Sequence, residues 1–185
     1  KGHYLRSMDI NWQTNRYTGL CWNGATLYLA DTPGHAILQV SQTGEIRESI
    51  QKHGAEQGMV NYPTFLTVGP DAHLYITDTM NFRVQIVSQD GKTVKSIGAR
   101  GLAPGNFNRP KGVAVDAVGN IYVVDASFDN VQIFHQDGRL LQVLGVCGTG
   151  DGEFQMPTDI AITGNTLYIS DTINHRIQIF QIDYE

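Results

Sequence analysis

Four aspartates at a regular spacing carry the first chemical signal in the chain. Asp31, Asp78, Asp125 and Asp171 follow one another at spacings of 47, 47 and 46 residues, and each ends a short apolar run. Carboxylates that converge on one axis could hold a cation. An Asp at the end of a strand, followed by turn-forming residues, more commonly accepts the amides of its own turn. We therefore predict a structural role for these four carboxylates.

Two arginines strengthen that interpretation. Arg83 follows Asp78 by five residues, and Arg176 follows Asp171 at the same distance. Because an Arg and a carboxylate at the two ends of a tight turn can form a charge-assisted hydrogen bond, we predict the pairs Asp78–Arg83 and Asp171–Arg176. The other two copies have Ala36 and Asn130 in the place of the Arg.

Other candidate chemistry is weaker. The Gly-rich run at residues 148–152 resembles a phosphate-binding loop, but no helix pattern follows it. The six histidines occupy different repeat positions without metal-ligand spacing, and Cys21 and Cys147 stand far apart. No Gly-x-Ser-x-Gly motif marks a nucleophile. We predict no catalytic residue, no metal, no cofactor and no enzymatic activity.

The aspartates belong to a hairpin that occurs four times, at residues 27–40, 74–86, 121–134 and 167–180. Both arms are rich in β-branched and aromatic residues, and Asp, Thr and Asn lie between them. A repeat of forty-odd residues built only from short strands is typical of propeller blades, whereas helical arrays show a 3.6-residue period. Each repeat is predicted to contain four strands, with an apolar inner strand and a more polar outer one. The sequence therefore predicts an all-β propeller without helices.

Composition agrees with a globular chain. The 185 residues are 41% hydrophobic and 17% charged, and the formal net charge is −5. That balance provides no broad basic surface for nucleic acid, which makes nucleic acid an unlikely partner. No apolar run is long enough to span a bilayer.

Several spaced motifs resemble the NHL repeat family. The pattern Gly-x-Phe-x-x-Pro-x-Gly-Val-Ala-Val-Asp at residues 105–116, followed by Gly-Asn-Ile-Tyr-Val-Val-Asp at 119–125, is similar to the family consensus. Residues 152–157 repeat its first part, and Asn174-His175-Arg176 stands at the tripeptide that names the family. The resemblance implies a β-propeller, which in this family usually has six blades. This chain departs from that number, because it has four repeats.

The two ends of the chain are predicted to complete each other. Residues 1–8 align with the outer strands at 90–97 and 137–144, while the last repeat lacks an outer strand. We expect a single domain over residues 1–185, with repeats at 17–50, 63–97, 110–144 and 157–185 plus 1–8. The N-terminal strand would close the last blade, remove open sheet edges and give a monomer. The alternative is a fragment of a six-bladed propeller.

Topology selects the candidate binding surface. Because neighbouring strands are antiparallel, the long linkers and the Asp turns emerge on one face, which we call the loop face. We predict binding residues there among aromatic, Arg and other charged positions, the types that are common interface anchors. The candidate binding residues are Phe82, Arg83, Arg109, Lys111, Phe128, Asp159, His175 and Arg176, with Tyr62 and Met156 beside them. Asp159 is the candidate that the residues at its repeat position in the other copies explain least. Its alternative role is to pair with Lys111.

Three functions compete at this stage. The first is a non-catalytic scaffold that presents the loop face to a macromolecule, for which we expect a protein. The second is a propeller enzyme similar to the peptidyl-hydroxyglycine amidating lyases, with a metal in the central channel, although the four inner strands contain no histidine. The third is RNA binding, as implied by resemblance to the NHL domains of tripartite-motif proteins. The acidic balance disfavours that third function. We expect the scaffold.

Overall fold

The protein is a four-bladed β-propeller, as the repeats predict. In the computed structural model, which describes residues 2–8, 10 and 16–184, the strands form four antiparallel sheets and one short parallel pair. Blade 1 contains β1 (Tyr17–Trp22), β2 (Leu27–Asp31), β3 (Ala36–Val40) and β4 (Ile46–Ser49). Blade 2 contains β7 (Pro63–Val68), β8 (Leu74–Asp78), β9 (Arg83–Val87) and β10 (Thr93–Ile97). The linker between these blades carries the parallel pair β5 (Lys52–His53) and β6 (Met59–Val60).

The second half of the chain repeats this arrangement. Blade 3 contains β11 (Pro110–Val115), β12 (Ile121–Asp125), β13 (Asn130–Phe134) and β14 (Leu140–Leu144). Blade 4 contains β15 (Pro157–Thr163), β16 (Thr166–Asp171) and β17 (Arg176–Gln181). The helical part of the described chain is one 3₁₀ turn, Thr79–Asn81, and no helix of that part is long enough to cross a membrane.

The hydrophobic core lies between the blades. The second strands of blades 2 and 3 are buried along their whole length, and each of these two blades packs against two neighbours. One cluster joins Tyr28 and Ile37 of blade 1 to Leu74 and Ile76 of blade 2. Similar clusters join blades 2 and 3 and blades 3 and 4. The propeller is therefore held together mainly by burial of apolar side chains between sheets.

The predicted closure of the last blade by the N-terminal strand is wrong. Among the described residues, blade 4 has three strands and residues 2–8 form no strand; Lys1 lies outside this part of the chain. This segment runs beside the β3–β4 turn of blade 1, where the Arg6 guanidinium donates to the Gln42 carbonyl. Ile10, which follows it, packs on a blade 1 cluster that includes Leu29 and Leu38. Burial against this apolar face competes with the edge pairing that the repeat alignment predicted.

Blade 4 consequently keeps one apolar face in solvent. Ile177 is 60% exposed and Ile179 is 63% exposed, whereas Ile37, which has the position of Ile177 in blade 1, is 0% exposed. The difference arises because blade 2 covers Ile37, and no blade covers Ile177 in the described chain. In the described chain, apolar packing therefore does not join blade 4 to blade 1 as it joins the other neighbouring blades.

We expect the same substitution to have different costs at these two positions. Ile37→Ala should lower the free energy of unfolding by about 2–4 kcal/mol, because it leaves a cavity between two blades. Ile177→Ala should cost about 0.5 kcal/mol or less, because the side chain is already in water. Chemical denaturation of both variants measures the difference. Equal losses would contradict an exposed blade 4 face, and light scattering would then show whether association covers it.

Candidate binding site at the channel mouth

Each hairpin turn of blades 2 and 4 is fixed by a buried aspartate. Asp78 is fully buried, and its Oδ2 accepts hydrogen bonds from Asn81, Arg83 Nε at 2.8 Å and Gln85. Its Oδ1 accepts the backbone N–H of Asn61 at 2.6 Å. Asn61 belongs to the linker that enters the inner strand, so this carboxylate joins the hairpin turn to the linker.

Asp171 repeats the arrangement in blade 4. It accepts hydrogen bonds from Gln155 N–H, Asn174, Arg176 Nε and Gln178. Burial by itself would raise the pKa of Asp171, but these four donors outweigh it and lower the pKa below the ordinary value. Both predicted Asp–Arg pairs are therefore confirmed, with N–O distances of 2.8 Å.

Blade 3 keeps the aspartate without the arginine. Asp125 accepts the backbone N–H groups of Asn108, Arg109 and Ser127. Asn130 takes the position of the arginine, and its buried Oδ1 accepts no hydrogen bond. In blade 1, Asp31 accepts the N–H of Gly34. The link between turn and linker survives in blade 3 because backbone donors replace the guanidinium.

The Arg176 guanidinium should be an important source of stability. It also donates from Nη2 to the carbonyls of Gly150 and Glu153, so Arg176→Ala leaves a buried carboxylate and two carbonyls short of donors. We expect a loss of about 2 kcal/mol or more in the free energy of unfolding. Arg139→Ala is the control, because its pair with Asp137 is exposed and 3.9 Å long, and should cost about 0.5 kcal/mol or less. Equal losses in thermal or chemical unfolding would contradict the structural role of Arg176.

The linkers and hairpin turns meet on the loop face through backbone hydrogen bonds. Thr32 N–H donates to the Arg16 carbonyl, and Ala126 N–H donates to that of Arg109. Met80 and Ile173 donate in the same way to the linkers of blades 2 and 4. The residues just before the inner strands therefore hold fixed positions, and they are Arg16, Tyr62, Arg109 and Met156, all exposed.

Tyr62 and Met156 are held in strained backbone conformations. Their φ angles are 58° and 47°, in the left-handed region that bulky residues rarely adopt. A turn residue of the preceding blade accepts the N–H group in each case: His35 Nδ1 for Tyr62, at 3.0 Å, and Asp129 Oδ1 for Met156, at 2.7 Å. Such strain persists where the surroundings fix the residue, so both side chains are presented in defined places.

His35 should make the position of Tyr62 sensitive to pH. The His35 ring stacks on the His53 ring, with the two ring centroids 4.0 Å apart. The pKa of His35 lies below its ordinary value of 6.5, mainly because the ring is partly buried and also because His53 can carry a positive charge beside it. Neutral His35 accepts the Tyr62 N–H at Nδ1, and protonation removes that acceptor. As the pH falls through this depressed pKa, we expect the amide resonance of Tyr62 to shift in NMR spectra.

The matched variants for that titration are His35→Ala and His135→Ala. The first should abolish the shift of the Tyr62 amide below pH 6.5, whereas the second removes a partly exposed histidine bonded to Asp137 and should leave it unchanged. A Tyr62 amide that titrates normally in His35→Ala would contradict the role of this hydrogen bond.

A bulge in each inner strand turns residues toward the central channel. The pairing to the second strand slips between Pro63 and Leu66, and at the same place in the other three blades. Bulges re-aim side chains next to functional sites. The residues at the slip form two layers, of which the upper is Thr18, Thr64, Lys111 and Thr158 and the lower is Gly19, Phe65, Gly112 and Asp159.

The lower layer shows why glycine alternates with larger residues. A Cβ on Gly19 would lie 2.7 Å from the Thr64 carbonyl oxygen, and one on Gly112 would lie 2.8 Å from the Asp159 Cα. The inner strands approach too closely for side chains at those two positions. At this level of the channel, side chains larger than hydrogen therefore come from two sides only, from Phe65 and Asp159.

Lys111 is the exception in the upper layer. In the other three blades the threonine of this layer bonds to the hydroxyl of the threonine after the turn aspartate, as Thr64 does to Thr79 at 2.7 Å and Thr158 does to Thr172 at 2.8 Å. Blade 3 has Lys111 opposite Ala126, so an ammonium and a methyl group replace two hydroxyls. Partial burial, and then the charge of Arg109, lower the pKa of Lys111.

Two cavities follow the channel. The one at the mouth, of about 420 Å³, is lined by Arg16, Thr18, Thr32, Tyr62, Thr64, Phe65 and Lys111. A deeper one of about 330 Å³ is lined by residues of all four inner strands, including Asp159. Surrounding protein raises the pKa of Asp159, although solvent reaches it through the channel. The alternative pairing of Asp159 with Lys111 is not formed among the described residues.

The structure separates the predicted binding residues into two groups. Lys111, Arg109 and Asp159 belong to the mouth and the channel. Arg83 and Arg176 are engaged in the turns, and Phe82 packs partly between blades 2 and 3 beneath Arg100, whose guanidinium carbon is 5.2 Å from the ring centre. Phe128 is half-buried and His175 is exposed, each in the turn of its own blade. Whether these turn residues bind a partner stays a prediction.

Sequence reasoning missed Arg16 as a residue of the mouth. The register pairs Tyr17 with Asp31 as it pairs Pro63 with Asp78, so Arg16 is equivalent to Tyr62 and Arg109. The repeat bounds 17–50 and 63–97 already imply this equivalence, although Tyr17 replaces the proline that begins the other inner strands. Counting back from the turn aspartate would have found it.

Comparison with known proteins agrees with the fold. Residues 154–180 match the NHL repeat. Among curated proteins, none matches the chain in sequence. Similar solved structures include a protein of unknown function from Bacteroides thetaiotaomicron, with a TM-score of 0.73 and 19% identity over 89% of this chain and 47% of that one.

Two structurally similar proteins are enzymes by name. A gluconolactonase from Xanthomonas campestris has a TM-score of 0.71 and 18% identity, over 91% of this chain and 59% of that one. Virginiamycin B lyase from Staphylococcus aureus has a TM-score of 0.64 and 18% identity, over 91% of this chain and 56% of that one. The chain thus spans about half the length of these structures, and the likeness concerns the fold alone. Within residues 2–8, 10 and 16–184, no group of three His, Cys, Asp or Glu residues lies close enough to hold a metal.

Proposed function

We propose that this protein is a non-catalytic binding module that presents its loop face to a protein partner. The observation that carries the proposal is a set of apolar side chains exposed on that face and fixed by the backbone. The set, which we call the apolar rim, is Tyr62, Met80, Met156 and Ile173. Aromatic residues and methionine are enriched at protein interfaces, and methionine adapts to irregular partner surfaces.

Hydrogen bonds from their N–H groups hold the backbone of all four rim residues in place. Met80 and Ile173 donate their N–H groups to the carbonyls of Asn61 and Gln155, and Tyr62 and Met156 are held by the preceding blades. A partner would therefore pay little conformational entropy to order this surface. The function requires no reacting group, only a fixed arrangement of side chains.

The test replaces two rim residues at matched exposure. Met80 is 53% exposed and Ile173 is 51% exposed, so Met80→Ser with Ile173→Ser should leave the fold intact. Once a partner has been captured with the wild-type protein and purified, its dissociation constant should rise about tenfold or more with this double variant, because anchor side chains dominate interface energy.

The control changes outer strands instead of the loop face. Val94→Ser with Val143→Ser replaces two exposed apolar residues of β10 and β14 and should change the dissociation constant by about twofold or less. Circular dichroism checks that both variants fold. Unchanged binding by the rim variant, or a larger loss in the control, would contradict the proposal.

A further inference from the structure

The mouth of the channel carries positive charge on an acidic protein. Arg16 and Lys111 line the mouth cavity, and Arg109, whose charge lowers the pKa of Lys111, stands at the position equivalent to Arg16 two blades away. The formal net charge of the whole chain is −5. These three cations are therefore a local exception, which we call the cationic mouth.

The carboxylates of the described chain do not neutralise this group. Among the described residues, none forms an ion pair with the side chains of Arg16, Arg109 or Lys111; the ion pairs of that part of the chain lie elsewhere. Asp125, the turn aspartate of the same blade as Arg109, accepts backbone N–H groups instead. A half-buried ammonium beside two exposed guanidinium groups, with no counter-charge among the described residues, favours an anion from outside.

Lys111 is also unnecessary for the fold. The other three blades have threonine at its position, and a threonine there bonds within its own blade or to the next inner strand. At neutral pH the half-buried ammonium of Lys111 is partly desolvated without a pairing partner to offset that cost. Lys111 departs from the threonine of the other repeats and places a charge in the channel mouth that the described residues do not compensate. A bound anion would account for both features.

We infer that the cationic mouth binds an acidic side chain of a protein partner, a glutamate or aspartate carboxylate inserted into the 420 Å³ cavity between Arg16, Lys111 and Tyr62. The guanidinium of Arg16 offers a planar fork that fits a carboxylate, and the ammonium of Lys111 offers a point charge deeper in the mouth. Phe65 and Tyr62 provide apolar walls for the methylene groups of the same side chain. Asp159 lies one layer below and sets the depth, because its carboxylate repels a second acid.

This inference rests on the proposed function but is tested apart from it. The probes are a hexaglutamate peptide, a hexaglutamine peptide and a hexauridylate, measured by calorimetry at low ionic strength. Lys111→Thr restores the residue of the other blades and should weaken hexaglutamate binding about tenfold or more, the size of a charge-assisted contact. Lys92→Thr, which removes the same charge from a turn at the opposite end of the strands, should weaken it about twofold or less.

Each outcome decides the inference. It is supported by hexaglutamate binding that depends on Lys111, that exceeds hexaglutamine binding and that weakens with salt. No binding of hexaglutamate to the wild-type protein, or equal losses in Lys111→Thr and Lys92→Thr, would overturn it. Tighter, Lys111-dependent binding of hexauridylate would also overturn it, since the anion would then be a nucleic acid phosphate.

Two further readouts separate folding and the apolar rim from the acid site. Lys111→Thr should unfold at the same or a higher denaturant concentration than wild type, so lost binding cannot come from lost fold. The variant Met80→Ser with Ile173→Ser should bind hexaglutamate within about twofold of wild type, because it removes no charge. Failure of the acid site therefore leaves the rim proposal standing, and failure of the rim leaves the acid site standing.

Discussion

The structure depends on the buried aspartate that ends the second strand of each blade. In blades 2 and 4 this carboxylate accepts donors from its own turn, from the third strand and from the backbone of the linker that enters the blade. A buried charge is costly unless its donors are in place, so the folded structure is stable only when the turn, the third strand and the linker all surround the carboxylate. The loop face is consequently fixed by a polar network, while the blades are joined by apolar packing. This division explains how exposed linkers keep defined positions on a propeller of short strands.

The channel shows where the repeat departs from its own symmetry. Four inner strands bring four equivalent residues into each layer, and identical residues in all four would serve the fold. The upper layer instead has one lysine among threonines, and the lower layer has Phe65 and Asp159 between two glycines. Gly19 and Gly112 are required by close approach of neighbouring strands, which explains half of the lower layer. The repeat does not account for Lys111, Asp159 or Arg16, and the proposed ligand site uses these residues.

The missing apolar packing between blades 4 and 1 has a separate cause. Apolar side chains fill three of the blade interfaces. On the face of blade 1 that points away from blade 2, Ile10 covers part of the apolar surface. On blade 4, Ile177 and Ile179 remain in solvent. A sheet face of this kind has the composition of the three buried interfaces because it carries the same repeat positions. Its exposure marks the weakest part of the described ring.

The sequence by itself determined the hairpins, the four-blade period, the Asp–Arg pairs and the face on which the linkers emerge. These features follow from turn chemistry and strand alternation, which act over a few residues and are therefore visible in the sequence. Tertiary structure decided which residues of that face converge: it added Arg16 to Lys111 and left Asp159 unpaired with Lys111. It also placed residues 2–8 beside blade 1 instead of in blade 4. Those outcomes depend on bulges, close approaches and competition between distant apolar faces, which a repeat alignment does not contain.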